Sequence, residues 1–477
     1  MNVVIVHYHL RRGGVTRVIE TACQSLTPRG VRPLVLVGEY EAATGLNFGE
    51  ATVRVIPGLR YADRMDRGVA SQLAHEIEAE ARHHFGTLPD VIHLHNPTLG
   101  KSPAVALLPG ILAARGAALL IQVHDFAENG RPENYRRLVR ECGGGDAREL
   151  EARLYPSGGR IRYAALNRRD LSILQAAGAD AEWLPNAVAA HPPARTCFDP
   201  PQIPWDAFAF FPSRAIRRKN LGEALLWLTA APASCGMVVP MGPEQSADLE
   251  FYEEWKHFAR QRKLPVAFDA LTFPGATMGA LYAACEFAVT TSRAEGFGMA
   301  FVEPWLAGRG IIGRDLPEIT VDFLGVGLDL RHLYPRLPIP SGWFNVEQYR
   351  REREAVRREQ FLAYGFDPPH EEAAAQSVDF AELSEGIQRE IIERARDSSD
   401  ARAELQLPEW RTPPPELIRS NARVAREQFS VTAYGERLAA LYRSVVECPP
   451  QPPGTLRAAE ILRAFILNGK TRTVFRS

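Results

Sequence analysis

The sequence predicts two doubly wound α/β domains in succession, and three observations carry that expectation. Its 477 residues exceed what one core ordinarily holds. Short continuous apolar runs alternate with amphipathic stretches, the pattern of parallel strands covered by helices on both faces. The alternation occurs twice, on either side of the proline-rich, aperiodic segment AAHPPARTCFDPPQIPWD at 189–206, which reads as an interdomain linker.

In the first half Val3–His7 reads as a strand, followed by a Gly13-Gly14 turn and a helical pattern over Val15–Leu26. Pro33–Val37 and Val53–Ile56 read as strands and Val69–Phe85 as a helix, and Val91–His95, Leu119–His124 and Arg162–Asn167 are further strands. In the second half the strands are Phe208–Pro212, Gly236–Pro240, Val266–Ala270 and Phe287–Thr291, with helices at Ser246–Arg262 and Ala276–Cys285. Ligands of such sheets bind at the carboxyl ends of the strands, and the cleft between two domains is the expected active site.

Beyond Leu330, residues 346–363 and 379–396 are rich in Glu, Arg and Gln and read as exposed helices, punctuated by Pro338–Pro340, Pro368-Pro369 and Pro413–Pro415. Leu456–Leu467 reads as an amphipathic helix docked on its own protein, with Lys470, Arg472 and Arg476 after it. So few basic residues on one short helix make a weak membrane anchor, so peripheral membrane contact is not expected.

Composition narrows the function. Apolar residues make up 45% and charged residues 24%, as in a globular protein. The balance of 56 basic and 57 acidic residues argues against a broad nucleic-acid surface. Cys23, Cys142, Cys197, Cys235, Cys285 and Cys448 form no C-x-x-C pair, so no zinc knuckle or redox motif is implied, and free thiols in a reducing compartment are expected. The start, MNVVIVHYHL, reads as a first strand and not a signal peptide, and no apolar run is long enough to span a bilayer. A cytoplasmic location follows as the expectation.

The most informative segment is TSRAEGFGMAFVEPWLAG, Thr291–Gly308. A strand ends, a loop carries Glu295, Gly296 and Gly298, and a helix is expected to start, with Glu303 near its second turn. Glycines there let a ligand approach the backbone, and the amides of a helix start favour an anion such as phosphate. Two carboxylates on loop and helix can face one ligand, and each can accept two hydroxyl hydrogen bonds, which suits a sugar or ribose. Arg214 and Lys219 follow the strand FAFFP, where cations would stabilise a departing diphosphate more in the transition state than before it. Arg217 and Arg218 lie between them, so a solvated basic turn is the competing reading. His124 closes a strand and precedes Asp125.

EGFGMAFVEPWLAG resembles the E-x7-E signature of the family-4 retaining glycosyltransferases. Further similar segments lie in the family's order: RRGGVTRVIE (Arg11–Glu20), IQVHDF (Ile121–Phe126), LPNAV (Leu184–Val188), SRAIRRKN (Ser213–Asn220), ATMGALYAACEFAVTTS (Ala276–Ser292) and QFSVTAYGERLAALY (Gln428–Tyr442), the last resembling the family's closing helix. The resemblance implies a GT-B fold: two Rossmann-like doubly wound parallel-sheet domains with a helical insertion and a C-terminal crossover helix. The domains would be 1–190 on the acceptor side, 205–430 on the nucleotide-sugar donor side with the insertion at about 331–412, and 431–477 as crossover helix and tail. That insertion of roughly a hundred residues departs from the family's pattern, and Ala187 stands where glycine is common.

By resemblance the candidate catalytic residues are Glu295, Arg214, Lys219 and His124. His124 would touch the transferred sugar, Glu303 the nucleotide ribose, and Glu295 with the Gly296, Phe297, Gly298 and Met299 backbone the sugar hydroxyls and diphosphate. Gly13 and Gly14 would let the first loop pass close to donor and acceptor. HNPTLGKSPA (His95–Ala104) follows a strand, and Asn96 and Lys101, with Arg11, Arg12 and Arg17, are read as an electropositive pocket for an acceptor bearing a carboxylate or phosphate. The competing reading leaves Lys101 at a helix start. The implied activity is retaining transfer from a nucleotide sugar to a small-molecule or glycan acceptor hydroxyl, with no metal and no cofactor. A sugar-nucleotide epimerase of the same fold and a non-catalytic nucleotide-sugar-binding protein are the alternatives. A homodimer is left open.

Overall fold

A computed structural model describes the chain apart from residues 12, 42–44, 67, 190–201, 245, 369–375 and 467–477. Arg12, most of the 189–206 linker, Pro369 and the tail residues Lys470, Arg472 and Arg476 lie outside the described residues. Two compact units emerge. One is built from Met1–Ala187, Gln360–Phe366 and, among the described residues, 429–466; the other comprises Val188–Glu359 and Asp367–Gln428. Residues 360–366 thus pack in the first unit, inside the 205–430 span that the sequence assigns to the second domain.

The first unit runs β1 (Asn2–His7), α1 (Gly14–Leu26), β2 (Arg32–Val37), β3 (Thr52–Val55), α2 (Val69–Phe85), β4 (Val91–His95), α3 (Pro103–Ala114), β5 (Leu119–Val123), α4 (Pro132–Cys142), α5 (Ala147–Leu154), β6 (Pro156–Ser157), β7 (Ile161–Ala165), α6 (Arg168–Ala176) and β8 (Ala181–Trp183). Its main sheet has the order β3-β2-β1-β4-β5-β7-β8, with every neighbouring pair parallel. Val3 and Ile5 pack with Val18 and Ile19 of α1, while Val4 and Val6 pack with Leu73 and Ile77 of α2. Covering both faces is why these strands read as unbroken apolar runs. The order turns back between β1 and β4, which places a ligand crevice at their carboxyl ends.

The second unit runs β9 (Ala207–Phe210), α7 (Leu221–Leu228), β10 (Cys235–Val238), α8 (Ser246–Gln261), β11 (Val266–Ala267), α9 (Met278–Ala284), β12 (Phe287–Thr290), α10 (Glu303–Leu306), β13 (Gly310–Gly313) and α11 (Pro317–Gly325). Its parallel sheet has the order β11-β10-β9-β12-β13, so the switch point lies between β9 and β12. The strand predicted over Val266–Ala270 stops at Ala267, because Asp269 turns left-handed at φ 58° and a 3₁₀ turn over Ala270–Thr272 follows.

Beyond this sheet come β14 (Pro338–Pro340), α12 (Val346–Ala363), β15 (Ser377–Asp379), α13 (Glu385–Asp397), α14 (Ser399–Glu404) and α15 (Pro415–Phe429), with β14 and β15 antiparallel. The helix expected as exposed over 379–396 is corrected twice. It begins only at Glu385, after β15 and a 3₁₀ turn, and it is not exposed: Ile387, Ile391, Ile392 and Ala395 are buried in the core that also holds Leu221 and Leu225 of α7.

The chain closes in the first unit with α16 (Val431–Glu447), β16 (Gly454–Thr455) and α17 (Ala458–Ile466). The segment Gln428–Tyr442 is not one helix. It breaks at Phe429–Ser430, where the Ser430 side chain accepts from the Ala433 amide and starts α16. Helix α17 docks through Ile461 and Leu462, and the Phe465 ring lies 4.9 Å from that of Phe126. Among the described residues no helix is long and apolar enough to cross a membrane.

Candidate functional site

In the second unit the exits of β9 and β12 are laced together. Arg214 makes a single parallel bridge to Met241 beyond β10, and its guanidinium pairs with Glu244 at 2.5 Å. Residues Arg217–Lys219 then form a 3₁₀ turn, and Asn220 at φ 52° leads into α7. The Thr291 hydroxyl, just past β12, lies 3.0 Å from the carbonyl oxygens of both Lys219 and Asn220 and donates to one at a time.

This turn is not a solvated basic run. Arg217 pairs with Glu385 at 2.6 Å. Arg218 donates to Glu295 Oε2 at 2.9 Å and to the Ala294 carbonyl at 3.0 Å, while Lys219 Nζ donates to Glu295 Oε1. The Glu295 side chain is only 6% exposed. Burial would raise its carboxyl, but Lys219 and Arg218 outweigh that and hold it at about 2. Burial pulls the Lys219 ammonium below its usual range, against the pull of Glu295. Lys219 and Glu295, expected on one mouth, therefore touch, and Arg218 joins them. Sequence reasoning passed over Arg218, although its place between two candidate cations was the available signal.

The expected helix start is corrected. Met299–Phe301 is a 3₁₀ turn, and α10 spans only Glu303–Leu306, so Glu303 is its first residue and not near a second turn. Gly298 takes φ 86°, where a Cβ would also stand 2.8 Å from the Phe301 ring, and this breaks the helix before it forms. One four-residue turn has little of the dipole a long helix carries. Glu303 accepts from the Tyr282 hydroxyl at 3.1 Å. Phe297 is buried with its ring 5.5 Å from that of Phe323.

In the first unit, histidines gather at the exits of β1, β4 and β5. His124 Nε2 lies 2.9 Å from His95 Nδ1, and the His7 Nδ1 lies 3.2 Å from the His95 carbonyl. Burial lowers His124 to about 4 and His7 to about 3, so both rings are neutral at physiological pH. Sequence reasoning found His124 alone. The signal it passed over was that β1 and β4 also end in histidine, at His7 and His95.

Several expected acceptor residues are engaged within the unit. Arg11 forms a two-pronged pair with Glu39 at 2.9 Å on each prong, and Arg17 pairs with Glu20 at 2.6 Å. Asn96 Oδ1 accepts from the amides of His124 at 3.2 Å and Asp125 at 2.9 Å, fastening the loop after β5. Lys101 is half-buried, with Nζ 5.9 Å from the Tyr61 ring centroid, and burial together with Arg137 and Arg131 lowers its ammonium. Gly13 has extended backbone and Gly14 has open space where a Cβ would stand, so neither glycine is forced by the fold. Among the described residues no group of three or more His, Cys, Asp and Glu side chains is arranged to hold a metal ion.

No protein-family model matches the chain. A curated relative, mannosylglucosyl-3-phosphoglycerate synthase of Petrotoga mobilis, is 24% identical over 354 residues, covering 68% of this chain and 67% of that protein. Among solved structures, sucrose-phosphate synthase from Thermosynechococcus elongatus aligns with a TM-score of 0.54 at 13% identity, covering 93% of this chain and 98% of that one. Anabaena HepE, solved with UDP and glucose, aligns at 0.52 and 14% identity over 93% of this chain and all of its own. A glycosyltransferase from Rickettsia africae aligns at 0.53 and 12% identity over 94% and 98% of the two chains. The fold is GT-B: two Rossmann-like α/β domains, each with its own parallel sheet.

Proposed function

We propose that the chain is a glycosyltransferase that takes a nucleotide sugar as donor and passes the sugar, with retention and without a metal, to an acceptor hydroxyl. The observation that carries this reading is the buried Glu295 carboxylate clamped by Lys219 and Arg218 at the β9–β12 switch point. A donor diphosphate lying along the Lys219 turn meets preset cations, with Arg214 at the mouth of the same strand. Such charge stabilises the bond-breaking state without reorganisation, the work a metal performs elsewhere. The Glu295 and Glu303 side chains accept hydroxyl hydrogen bonds from sugar and ribose. His124, neutral and held by His95, offers a hydrogen bond to the transferred sugar. The departing phosphate oxygen takes the acceptor proton, and the acceptor attacks from the face the diphosphate leaves.

An anionic acceptor is part of the proposal. Lys101 supports it, because Arg137 and Arg131 act on its ammonium from nearby, ahead of the opposing Glu133 and Asp63. The relative in Petrotoga mobilis is named for a product that carries a phosphoglycerate.

The test is a thermal-shift panel of nucleoside diphosphates and nucleotide sugars, with UDP and UDP-glucose first and chelator present throughout. The expected outcome is a rise in melting temperature with one base, lost in Arg214→Ala, and a kcat lowered tenfold to a hundredfold in that variant, as removal of a charge-assisted contact of about 1.5–3 kcal/mol implies. Transfer is then scored on phosphate-bearing and neutral sugars; activity confined to neutral acceptors rules out the anionic class. Dependence of turnover on added divalent metal defeats the metal-free mechanism.

A further inference from the structure

The segment 331–412 departs from the family's pattern, and its side chains converge on the residue that follows Lys219. Asn220 Oδ1 accepts from Gln388 Nε2 of α13 at 3.1 Å and from Arg293 Nη2 at 3.1 Å. Asn220 Nδ2 donates to Glu223 Oε2 at 2.8 Å. Glu223 takes two bonds from Arg314, at 2.9 and 2.6 Å, and one from the Tyr334 hydroxyl at 2.7 Å. Arg314 in turn reaches both Asp379 oxygens at 2.7 Å. On the flank of the turn, Arg217 pairs with Glu385 of α13 at 2.6 Å.

Asn220, Glu223, Arg314 and Gln388 are all buried. A chain of buried polar groups tolerates few arrangements, because each orphaned group costs the desolvation it was spared. Asn220 also needs holding, since a left-handed non-glycine residue is uncommon. Gly222 makes room for the contact: a Cβ there would lie 2.4 Å from Gln388 Oε1.

We propose that the added segment is a brace for the donor-binding turn, with Gln388 and Glu385 of α13 as positioning residues that hold Asn220 and Arg217 and thereby fix Lys219 against Glu295. This rests on the reading of Lys219 as a diphosphate cation. A segment serving only as packing would carry stability without bearing on how tightly a diphosphate is held.

The experiment titrates UDP and GDP separately into the full chain by calorimetry, for the unaltered protein, Gln388→Met, Glu385→Gln and Lys219→Ala. Melting temperature, kcat and both KM values accompany each. Brace variants are expected to weaken the nucleotide that binds about tenfold and to lower kcat while leaving acceptor KM unchanged. Glu385→Gln keeps the test open if Gln388→Met folds poorly, because it removes one charge at a half-buried pair. If Lys219→Ala weakens binding and both brace variants bind like the unaltered chain, the brace is wrong and the reading of Lys219 stands. If Lys219→Ala binds normally, or neither nucleotide binds the unaltered chain, both readings fall.

Discussion

Single residues account for both the clearest and the least legible parts of the site. Glu295, Lys219, Arg214 and Gly298 stand out in the sequence because strand, glycine and charge occur together at a turn. Arg218 was hidden because a cation inside a basic run looks the same whether it is solvated or clamped. The bonds of Asn96 are hidden for a related reason: its Oδ1 fastens the backbone of His124 and Asp125, and side-chain bonds to distant backbone leave no sequence pattern. Glu128 went unnoticed. It is buried with the Tyr155 hydroxyl 3.0 Å from one carboxyl oxygen, and burial raises it from 4.5 to about 7. A carboxyl raised on folding binds its proton more tightly in the folded chain. Its stabilising share is therefore full below about 4.5 and is lost as pH rises through about 7. Glu128→Gln is expected to flatten the fall in stability across that window and to be the more stable form at pH 8, as denaturant melts at both ends of the window would reveal.

At the scale of elements, strands were read well and the added helices poorly. A strand covered on both faces announces itself as an apolar run. Helix α13 does not, because its buried Ile387, Ile391, Ile392 and Ala395 are spaced at helical intervals among Arg and Glu residues. The break at Ser430 was equally quiet, since one serine cap decides it. A helix that is core and not decoration has a measurable signature. Ile391→Ala should cost about 2–5 kcal/mol in chemical denaturation, the range for a truncated core isoleucine. A loss under half a kilocalorie, typical of exposed positions, would return α13 to the surface.

For the whole molecule, the two doubly wound parallel sheets followed from the alternation of apolar runs and helices, whereas their strand order came only with the structure. The interleaving of 360–366 into the first unit did not follow, because no local pattern reports which of two cores the end of a helix joins. Each unit buries its own apolar cluster. Scanning calorimetry is accordingly expected to depart from a single two-state transition. A bound nucleoside diphosphate at a hundredfold its dissociation constant should stabilise the part that holds Lys219 by about 2.7 kcal/mol. Equal displacement of every transition, or of none, would contradict a diphosphate site confined to the second unit.

Glu295 has one more consequence. Before any donor arrives, Lys219 and Arg218 already face a carboxylate tethered beside them, whose local concentration dilution cannot lower. On the proposed reading, stray phosphate or bicarbonate, each bringing only its own charge, competes with that resident for the same two cations. A whole donor brings a base and a sugar as further grip. The tethered carboxylate is thus a built-in rival that weighs more against small inorganic anions than against the full ligand.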